Sequence, residues 1–292
     1  MPSTYGLVVL SAVMHAYWNF LLKQRKGTSA FVGLSKVAEV VVFAPVFLLA
    51  MTNGGPRPSV SWAAAALLVG VGAALTLANY AALARAYHHG DLSFVYPVTR
   101  GSSLLFLPPL GFLVFGERLD GVGWLALGLI LLGLVTIQLR DLRRRAGAAP
   151  VRVPAIAWAL IAGLAAAGYT IWDKRAIAVL PAFAYFYAYS VLVAAAYGAF
   201  LSRRYPWAAL AAEWRANRWA IVQVGVFNTL AYLLVLVALR TGTSSYVIAL
   251  RQISIVFGVL LGVWLLGESL STEKRIGVAL LVLGCGIVAL AR

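Results

Sequence analysis

Ten apolar stretches, each close to the length of a membrane-spanning helix, follow one another along the 292-residue chain. A helix needs about 20 mostly apolar residues to cross the hydrocarbon core of a bilayer, which is roughly 30 Å thick. The breaks between the stretches carry glycine, proline or charged residues, which are typical of turns. The predicted spans are 5–22, 30–51, 62–86, 93–115, 121–139, 154–173, 182–201, 218–239, 244–266 and 275–291. The sequence therefore predicts an all-α membrane protein with ten transmembrane helices.

The composition excludes the main soluble classes. Hydrophobic residues make up 62% of the chain and charged residues 11%, whereas soluble domains average about 45–50% apolar and about 25% charged residues. An ordinary soluble enzyme and a disordered protein are both excluded. No Lys or Arg precedes the first apolar stretch, so we predict a permanent span there and not a cleaved signal peptide.

The charge is strongly basic, with 24 Lys and Arg against 9 Asp and Glu and a net charge of +15. Most of the basic residues lie in the loops that follow the odd-numbered spans. Such loops face the cytoplasm in most membrane proteins, which predicts that both termini lie outside. No basic face with interleaved aromatic residues is present, so a nucleic-acid partner is not expected.

The chain contains an internal repeat. A shift of 151 residues lays 93–140 on 244–291, and a shift of 154 relates the first and sixth spans. The matched pairs include Ser93 and Ser244, Arg100 and Arg251, Gly116-Glu117 and Gly267-Glu268, and Trp18-Asn19 and Trp172-Asp173. We predict a first five-helix repeat over 1–140, a basic linker loop over 141–153 and a second repeat over 154–292. Because five is odd, the two repeats are inverted, as in many secondary transporters.

Lys36, Glu39, Arg100 and Arg251 are charged residues that fall inside the predicted spans. Arg100 and Arg251 lie equally deep in the fourth and ninth spans, counted from opposite faces, so both can approach the midplane and flank a central cavity. They either attract an anionic substrate or satisfy carbonyl groups and an acid of their own repeat. Lys36 and Glu39 are three residues apart, so they can form a local ion pair or serve as a proton or substrate relay.

Further polar and aromatic residues interrupt the apolar spans and are candidates for substrate binding, with hydrogen bonding between helices as the alternative. Together with the two arginines, these candidates are His15, Trp18, Asn19, Asn79, Tyr80, Tyr96, Tyr169, Trp172, Asn228 and Tyr232. Asp173 lies near the end of the predicted sixth span, so it is either a solvated interfacial carboxylate or a proton carrier. Gly116 and Gly267 are predicted to end their helices.

The sequence carries no motif of a known catalytic or metal site. We find no phosphate-binding loop, no zinc-protease motif and no nucleophile elbow. His88 and His89 have no cysteine or paired carboxylates near them, and Cys285 is the single cysteine of the chain. We therefore predict no enzyme activity, no cofactor and no metal.

Several short motifs resemble those of the EamA-type branch of the drug/metabolite transporter superfamily. These are an HAxWN-like stretch at 15–19, a YPxxRG-like stretch at 96–101, an LRxxS-like segment at 250–254 and Gly267-Glu268. Some relatives have an acid after the second arginine, where this chain has Gln252. That difference argues against proton coupling through an Arg–Glu pair at this position.

The resemblance implies ten helices in two repeats and transport of a small metabolite, often by export, through a central cavity. The expected partners are a small-molecule substrate and the lipid bilayer, with a monomer and a homodimer both open, and the expected location is the bacterial cytoplasmic membrane. One alternative is a lipid-carrier flippase. Another is a membrane enzyme acting on a lipid-linked substrate, with Asp173 and His15 as the catalytic pair.

Overall fold

The computed structural model describes residues 2–25, 27–52, 59–145, 153–267 and 269–290, and every regular element in these ranges is helical. The helices are α1 Pro2–Gln24, α2 Ser29–Thr52, α3 Trp62–His89, α4 Leu92–Phe115, α5 Gly121–Arg145, α6 Val153–Val179, α7 Ala182–Arg204, α8 Trp207–Thr241, α9 Ser244–Arg251, α10 Ile253–Leu266 and α11 Thr272–Leu290. The predicted all-α fold is confirmed. Most of the predicted basic linker and Glu268 lie outside the described residues.

Nine segments of the described chain are long and apolar enough to cross a membrane by length and composition, with α9 and α10 together forming one of them. The remaining helix, α11, carries Glu273, Lys274 and Arg275 in its first turn, which shortens its apolar part. Large apolar side chains cover the outside of the bundle, including Leu113, which is 76% exposed, and Trp264, which is 73% exposed. Such a surface suits lipid and not water, so the chain is an integral multi-pass membrane protein.

The helices pack in a pattern that is unchanged when the two repeats are exchanged. Helix α3 packs on α6 as α8 packs on α1, and α4 packs on α6 as α9 and α10 pack on α1. Helix α2 meets its counterpart α7, and α5 meets its counterpart α11. This pairing is that of two inverted five-helix repeats. The exact repeat boundaries stay a prediction.

Helices α5 and α11 approach each other backbone to backbone. A Cβ atom added at Gly277 would lie 2.8 Å from the carbonyl oxygen of Gly133, and one added at Gly284 would lie 2.9 Å from that of Ala126. Only glycine leaves room for such a contact between membrane helices.

Several helices extend beyond their predicted bounds, and one predicted span is interrupted. Helix α6 continues to Val179 instead of ending at 173, and α8 begins at Trp207 instead of 218. The predicted ninth span is interrupted at Gln252, where the N–H of Gln252 bonds to Ala249 and that of Ile255 bonds to Gln252. These hydrogen bonds, each between a residue and the third residue before it, tighten the turn between α9 and α10. The end of α6 and the start of α8 were predicted wrongly because both contain charged residues, which are also typical of loops.

The alternating helix directions give the bundle two sides. We call the side that holds the start of α1 and the α2–α3, α4–α5, α6–α7 and α8–α9 connections the terminal side. We call the side that holds the α1–α2, α3–α4, α5–α6, α7–α8 and α10–α11 connections the basic side. Gly116 and Gly267 end α4 and α10 on opposite sides, with φ angles of 67° and 65°. The predicted helix-ending role of both glycines is confirmed.

Candidate functional site

A cavity of about 310 Å³ lies at the centre of the bundle, between the two repeats. Helices α1 to α4 line it from one repeat and α6 to α9 from the other. The predicted substrate-binding residues that line it are His15, Trp18, Asn19, Asn79, Tyr80, Tyr96, Arg100, Tyr169, Asn228, Tyr232 and Arg251. Lys36 and Glu39 line it as well. The structure thus brings together nearly all of the polar side chains that interrupt the apolar spans.

The two arginines meet at one histidine. Nη2 of Arg100 lies 3.4 Å from Nε2 of His15, and Nη2 of Arg251 lies 3.2 Å from Nδ1 of the same ring. Helix α1 therefore places its imidazole between equivalent arginines of the two repeats. We call His15, Arg100 and Arg251 the arginine cluster.

Aromatic rings flank the arginine cluster in a matching way on both sides. The guanidinium of Arg100 lies 5.5 Å from the centre of the Tyr96 ring, and that of Arg251 lies 5.5 Å from the centre of the Tyr232 ring. Both distances are within the range of cation–π attraction. The Trp18 ring meets His15 edge-on at 4.9 Å. Rings thus hold the arginine cluster in place without supplying a negative charge.

Lys36 and Glu39 form the expected ion pair. Nζ of Lys36 lies 3.1 Å from Oε2 of Glu39, and Nδ2 of Asn228 donates to the same oxygen at 3.0 Å. Glu39 is only 3% exposed. This carboxylate of α2 is therefore compensated within the protein, by a lysine of its own helix and an amide of α8.

Asp173 is deeply buried, with 1% of its surface exposed. It accepts hydrogen bonds from Tyr185 at 2.6 Å and from Tyr232 at 2.5 Å. Of the two alternatives for Asp173, the solvated carboxylate at the interface is wrong, because α6 continues past Asp173 to Val179 and buries it. Gly72 makes room for one of these tyrosines, since a Cβ atom at Gly72 would lie 2.2 Å from the Tyr185 hydroxyl.

Trp172 lies outside the cavity lining. Its indole N–H donates to the carbonyl oxygen of Leu68 at 2.9 Å, which joins α6 to α3. Asn79 lines the cavity, and its amide also bonds across helices, to the carbonyl of Ala162 at 2.7 Å. For these two residues the structure gives an interhelical hydrogen bond, which was the alternative to substrate binding.

Several cavity residues were missed by the sequence analysis. They are hydroxyl or amide side chains within otherwise apolar helices, namely Thr76, Tyr87, Thr99, Ser103, Thr170, Tyr189, Ser190 and Gln252. The run of tyrosines in 185–190 of α7 was the available signal, since it is unusual inside a membrane span. Single threonine and serine residues gave no signal, because they can bond to the carbonyl of the preceding turn of their own helix.

Polar contacts between the repeats close the terminal side of the bundle. The Glu117 carboxylate, just after α4, is bonded to Lys174 of α6 and accepts from the backbone N–H of Ser244 at 3.0 Å. A negative charge at the start of a helix is favourable, so Glu117 caps α9. On the same side, Thr4 bonds to Thr241 at 3.0 Å. The related residue Glu268 lies outside the described residues.

Comparison with known proteins gives a family match for the second repeat. The EamA-like transporter family matches residues 153–290, which is the second half of the chain. A solved crystal structure of a protein superimposes with a TM-score of 0.76 at 16% identity, over 99% of this chain and 97% of that chain. A likeness at this identity concerns the fold alone.

Curated relatives match over a shorter region. The spermidine export protein MdtI of Cronobacter sakazakii is 38% identical over 66 residues, and that of Shigella flexneri is 36% identical over the same length. These matches cover 23% of this chain and 61% of each relative. The second repeat of the chain thus matches the EamA-like transporter family, in agreement with the resemblance of the motifs.

Proposed function

We propose that the protein is a secondary transporter that exports a small polar or amphipathic metabolite by alternating access. The observation that carries this proposal is the central cavity of about 310 Å³, lined by both repeats and containing Arg100 and Arg251. Ionisable residues are costly inside a membrane and generally face a cavity or pathway. The family of the second repeat is one of transporters.

Two features of the described conformation support alternating access. The terminal side is closed by the contacts of Glu117 with Lys174 and Ser244. Toward the basic side, the cavity lining continues along α1, α3 and α4 to Trp18, Tyr87 and Tyr96, and Tyr87 is 37% exposed. Because the repeats are inverted, exchange of their conformations would close the basic side and open the terminal side.

Polyamine export is a second candidate, because the curated relatives are named as spermidine exporters. The cavity opposes this candidate, since Lys36, Arg100 and Arg251 line it against one lining carboxylate, that of Glu39. A polycation would meet repulsion there. The match also covers only 61% of the relatives.

A flippase and a membrane enzyme have less support. A lipid-carrier flippase needs a groove for a long apolar chain, whereas a cavity of about 310 Å³ is at the lower end of ordinary small-molecule sites. An enzyme using Asp173 and His15 needs both side chains accessible to the substrate, whereas Asp173 is buried and lies outside the cavity lining. Asp173 is instead bonded to tyrosines, and His15 faces two arginines.

Transport is tested with purified protein in proteoliposomes loaded with a broad panel of metabolites. We expect saturable efflux of at least one of them, lost in the Arg100→Gln variant and kept in the Arg175→Gln variant. Arg175 is an exposed cation at the end of α6, so its replacement controls for the loss of one positive charge. Flux that never saturates with any metabolite would contradict the proposal.

The orientation in the bacterial cytoplasmic membrane is also a proposal, with the basic side in the cytoplasm and both termini outside. It is tested with a reporter fused to the C-terminus and a second reporter inserted between α7 and α8. We expect cytoplasmic activity only from the second. Cytoplasmic activity of the C-terminal fusion would reject this orientation.

A further inference from the structure

The arginine cluster is short of hydrogen-bond acceptors. Both ring nitrogens of His15 face a guanidinium, at 3.4 Å for Arg100 and 3.2 Å for Arg251. A neutral imidazole carries one acceptor nitrogen and one N–H, and an arginine carries only donors. At most one of the two contacts is therefore a hydrogen bond at any time. The other guanidinium meets no acceptor on His15.

The nearby carboxylates are bonded elsewhere. Glu39 is held by Lys36 and Asn228, and Asp173 by Tyr185 and Tyr232. Among the described residues, the ion pairs join Lys36 to Glu39 and Lys174 to Glu117, and neither includes an arginine of the cluster. Within the part of the chain that the structure describes, the two guanidinium charges thus have no carboxylate partner.

Two further donors in the cavity lining lack a partner. Nε of Arg251 and Nε1 of Trp18 are buried, and the described residues offer neither of them an acceptor. A buried donor without an acceptor is unfavourable. An acceptor-rich group that enters beside His15 would relieve both donors together with the excess positive charge.

We propose that the arginine cluster binds one anionic oxygen group, a carboxylate or a phosphate ester, carried by a small organic molecule. This inference rests on the proposed transport function and names its substrate class. Arginine suits such groups because its planar donors match two oxygens at once. Tyrosines around the cluster, among them Tyr96, Tyr169 and Tyr232, offer aromatic surface to the organic part.

The same charges select against other substrates. A neutral molecule leaves the guanidinium charges uncompensated, and a cation adds repulsion to them. Exclusion by like charge is an effective source of specificity. The site is therefore selective for anions over amides and amines of the same shape.

Matched probes test this selectivity by thermal unfolding of the purified protein. Each set has one organic body with different charge, such as indole-3-acetate, indole-3-acetamide and tryptamine, or phenylacetate, phenylacetamide and phenethylamine. Phenyl phosphate tests the phosphate arm, and spermidine tests a polycation. A ligand that binds the folded state raises the melting temperature. We expect at least one carboxylate or phosphate to raise it on the order of 3 °C, and its amide and amine counterparts to have no effect.

Variants separate specific binding from insertion of the probes into the detergent micelle. Arg100→Gln and Arg251→Gln should each lose the anion-induced shift, whereas Arg175→Gln should keep it. The inference is overturned if an amide stabilises as well as its carboxylate, if only amines or spermidine stabilise, or if no anion of the panel does. A shift that persists in both cluster variants overturns it as well.

The variant His15→Glu should be more stable than the wild-type protein, so its loss of anion binding could not be explained by misfolding. His15→Glu places a carboxylate of the protein where we expect the substrate anion. It should raise the melting temperature without ligand and abolish the response to anions. If His15→Glu lowers the melting temperature without ligand and still responds to anions as the wild-type protein does, the assignment to the cluster is wrong.

Flux measurements distinguish this inference from the proposed function. Saturable efflux of a neutral or cationic metabolite, with no anion binding, supports transport and overturns the anion site. Binding of anions without saturable flux of any bound anion supports the anion site and contradicts transport.

Discussion

Two groups of cations face the same cavity, and they differ in what compensates them. Lys36 lies 3.1 Å from Glu39, which also accepts from Asn228. Arg100 and Arg251 share only the imidazole of His15. The first group is neutral within the protein, and the second carries excess charge that a substrate can compensate. The comparison teaches that burial of a charge does not by itself mark a binding site. A buried cation with a carboxylate partner in the protein has a structural role, whereas a buried cation without one is a candidate for substrate binding.

The largest expected effect is on transport through the arginines. Arg100→Gln and Arg251→Gln should each reduce the efflux rate about 30-fold or more, because removal of one charge from a buried charge contact costs about 2 kcal/mol or more. Their melting temperatures should not fall, since the lost charge had no carboxylate partner. Efflux from proteoliposomes and unfolding of the same preparations measure the two quantities. A variant that unfolds early without ligand would instead assign the arginines a structural role.

Glu39→Gln should have the opposite profile and mainly lower stability. It leaves the Lys36 ammonium buried without a counter-charge, which costs about 3–5 kcal/mol. The double variant Lys36→Met/Glu39→Gln removes both charges and should recover most of the loss. Thermal unfolding of the wild-type protein and of the two variants measures this recovery. Equal stability of the single and double variants would show that the ion pair contributes nothing.

Replacement of Asp173, the buried carboxylate of α6, should have an intermediate effect on stability. Asp173→Asn keeps one oxygen acceptor for Tyr185 and Tyr232 but puts an amide donor in place of the other, at a cost of about 1–3 kcal/mol. Tyr185→Phe removes one donor and should cost less. Unfolding measurements on both variants test this order. If Asp173→Asn leaves stability unchanged but abolishes transport, Asp173 acts as a proton carrier and not as a structural acceptor.

The smallest expected effect concerns the closed terminal side. Glu117→Gln weakens the contacts with Lys174 and Ser244, and a loss of about 1 kcal/mol shifts a two-state equilibrium about fivefold. Cysteines introduced near the start of α9 should then react faster with a membrane-impermeant thiol reagent. Arg118→Gln, a change at the neighbouring residue, serves as the control. Unchanged labelling would show that Glu117 does not hold this side closed.

The sequence was sufficient to predict what depends on spacing and repetition. Apolar stretches predicted the all-α fold, and the 151-residue shift related Arg100 to Arg251, which the cavity brings together. Rotation about a helix axis was harder to predict. Tyr169 and Trp172 are three residues apart, yet Tyr169 lines the cavity and Trp172 bonds to α3. A shared helical face spans a wide arc, so spacing alone does not decide which of two neighbours reaches a narrow cavity.

Charge near a helix end was the other limit. The charged run 173–175 was interpreted as the end of a span, but α6 continues through it. The helix can do so because Asp173 accepts hydrogen bonds from tyrosine hydroxyls and Lys174 pairs with Glu117. These partners come from α7, from α8 and from the segment after α4. Contacts between elements so distant in the sequence cannot be read from local composition.

Gly72 is constrained by its neighbour and not by any chemistry of its own. The hydroxyl of Tyr185 occupies the place of its absent side chain and reaches from there to Asp173. Any methyl group at this position of α3 would displace the tyrosine and deprive a carboxylate on a different helix, in the other repeat, of a donor. A mutational scan of the protein should therefore find position 72 almost as intolerant of change as the carboxylate itself, even though glycine can neither donate a side-chain proton nor bind a substrate.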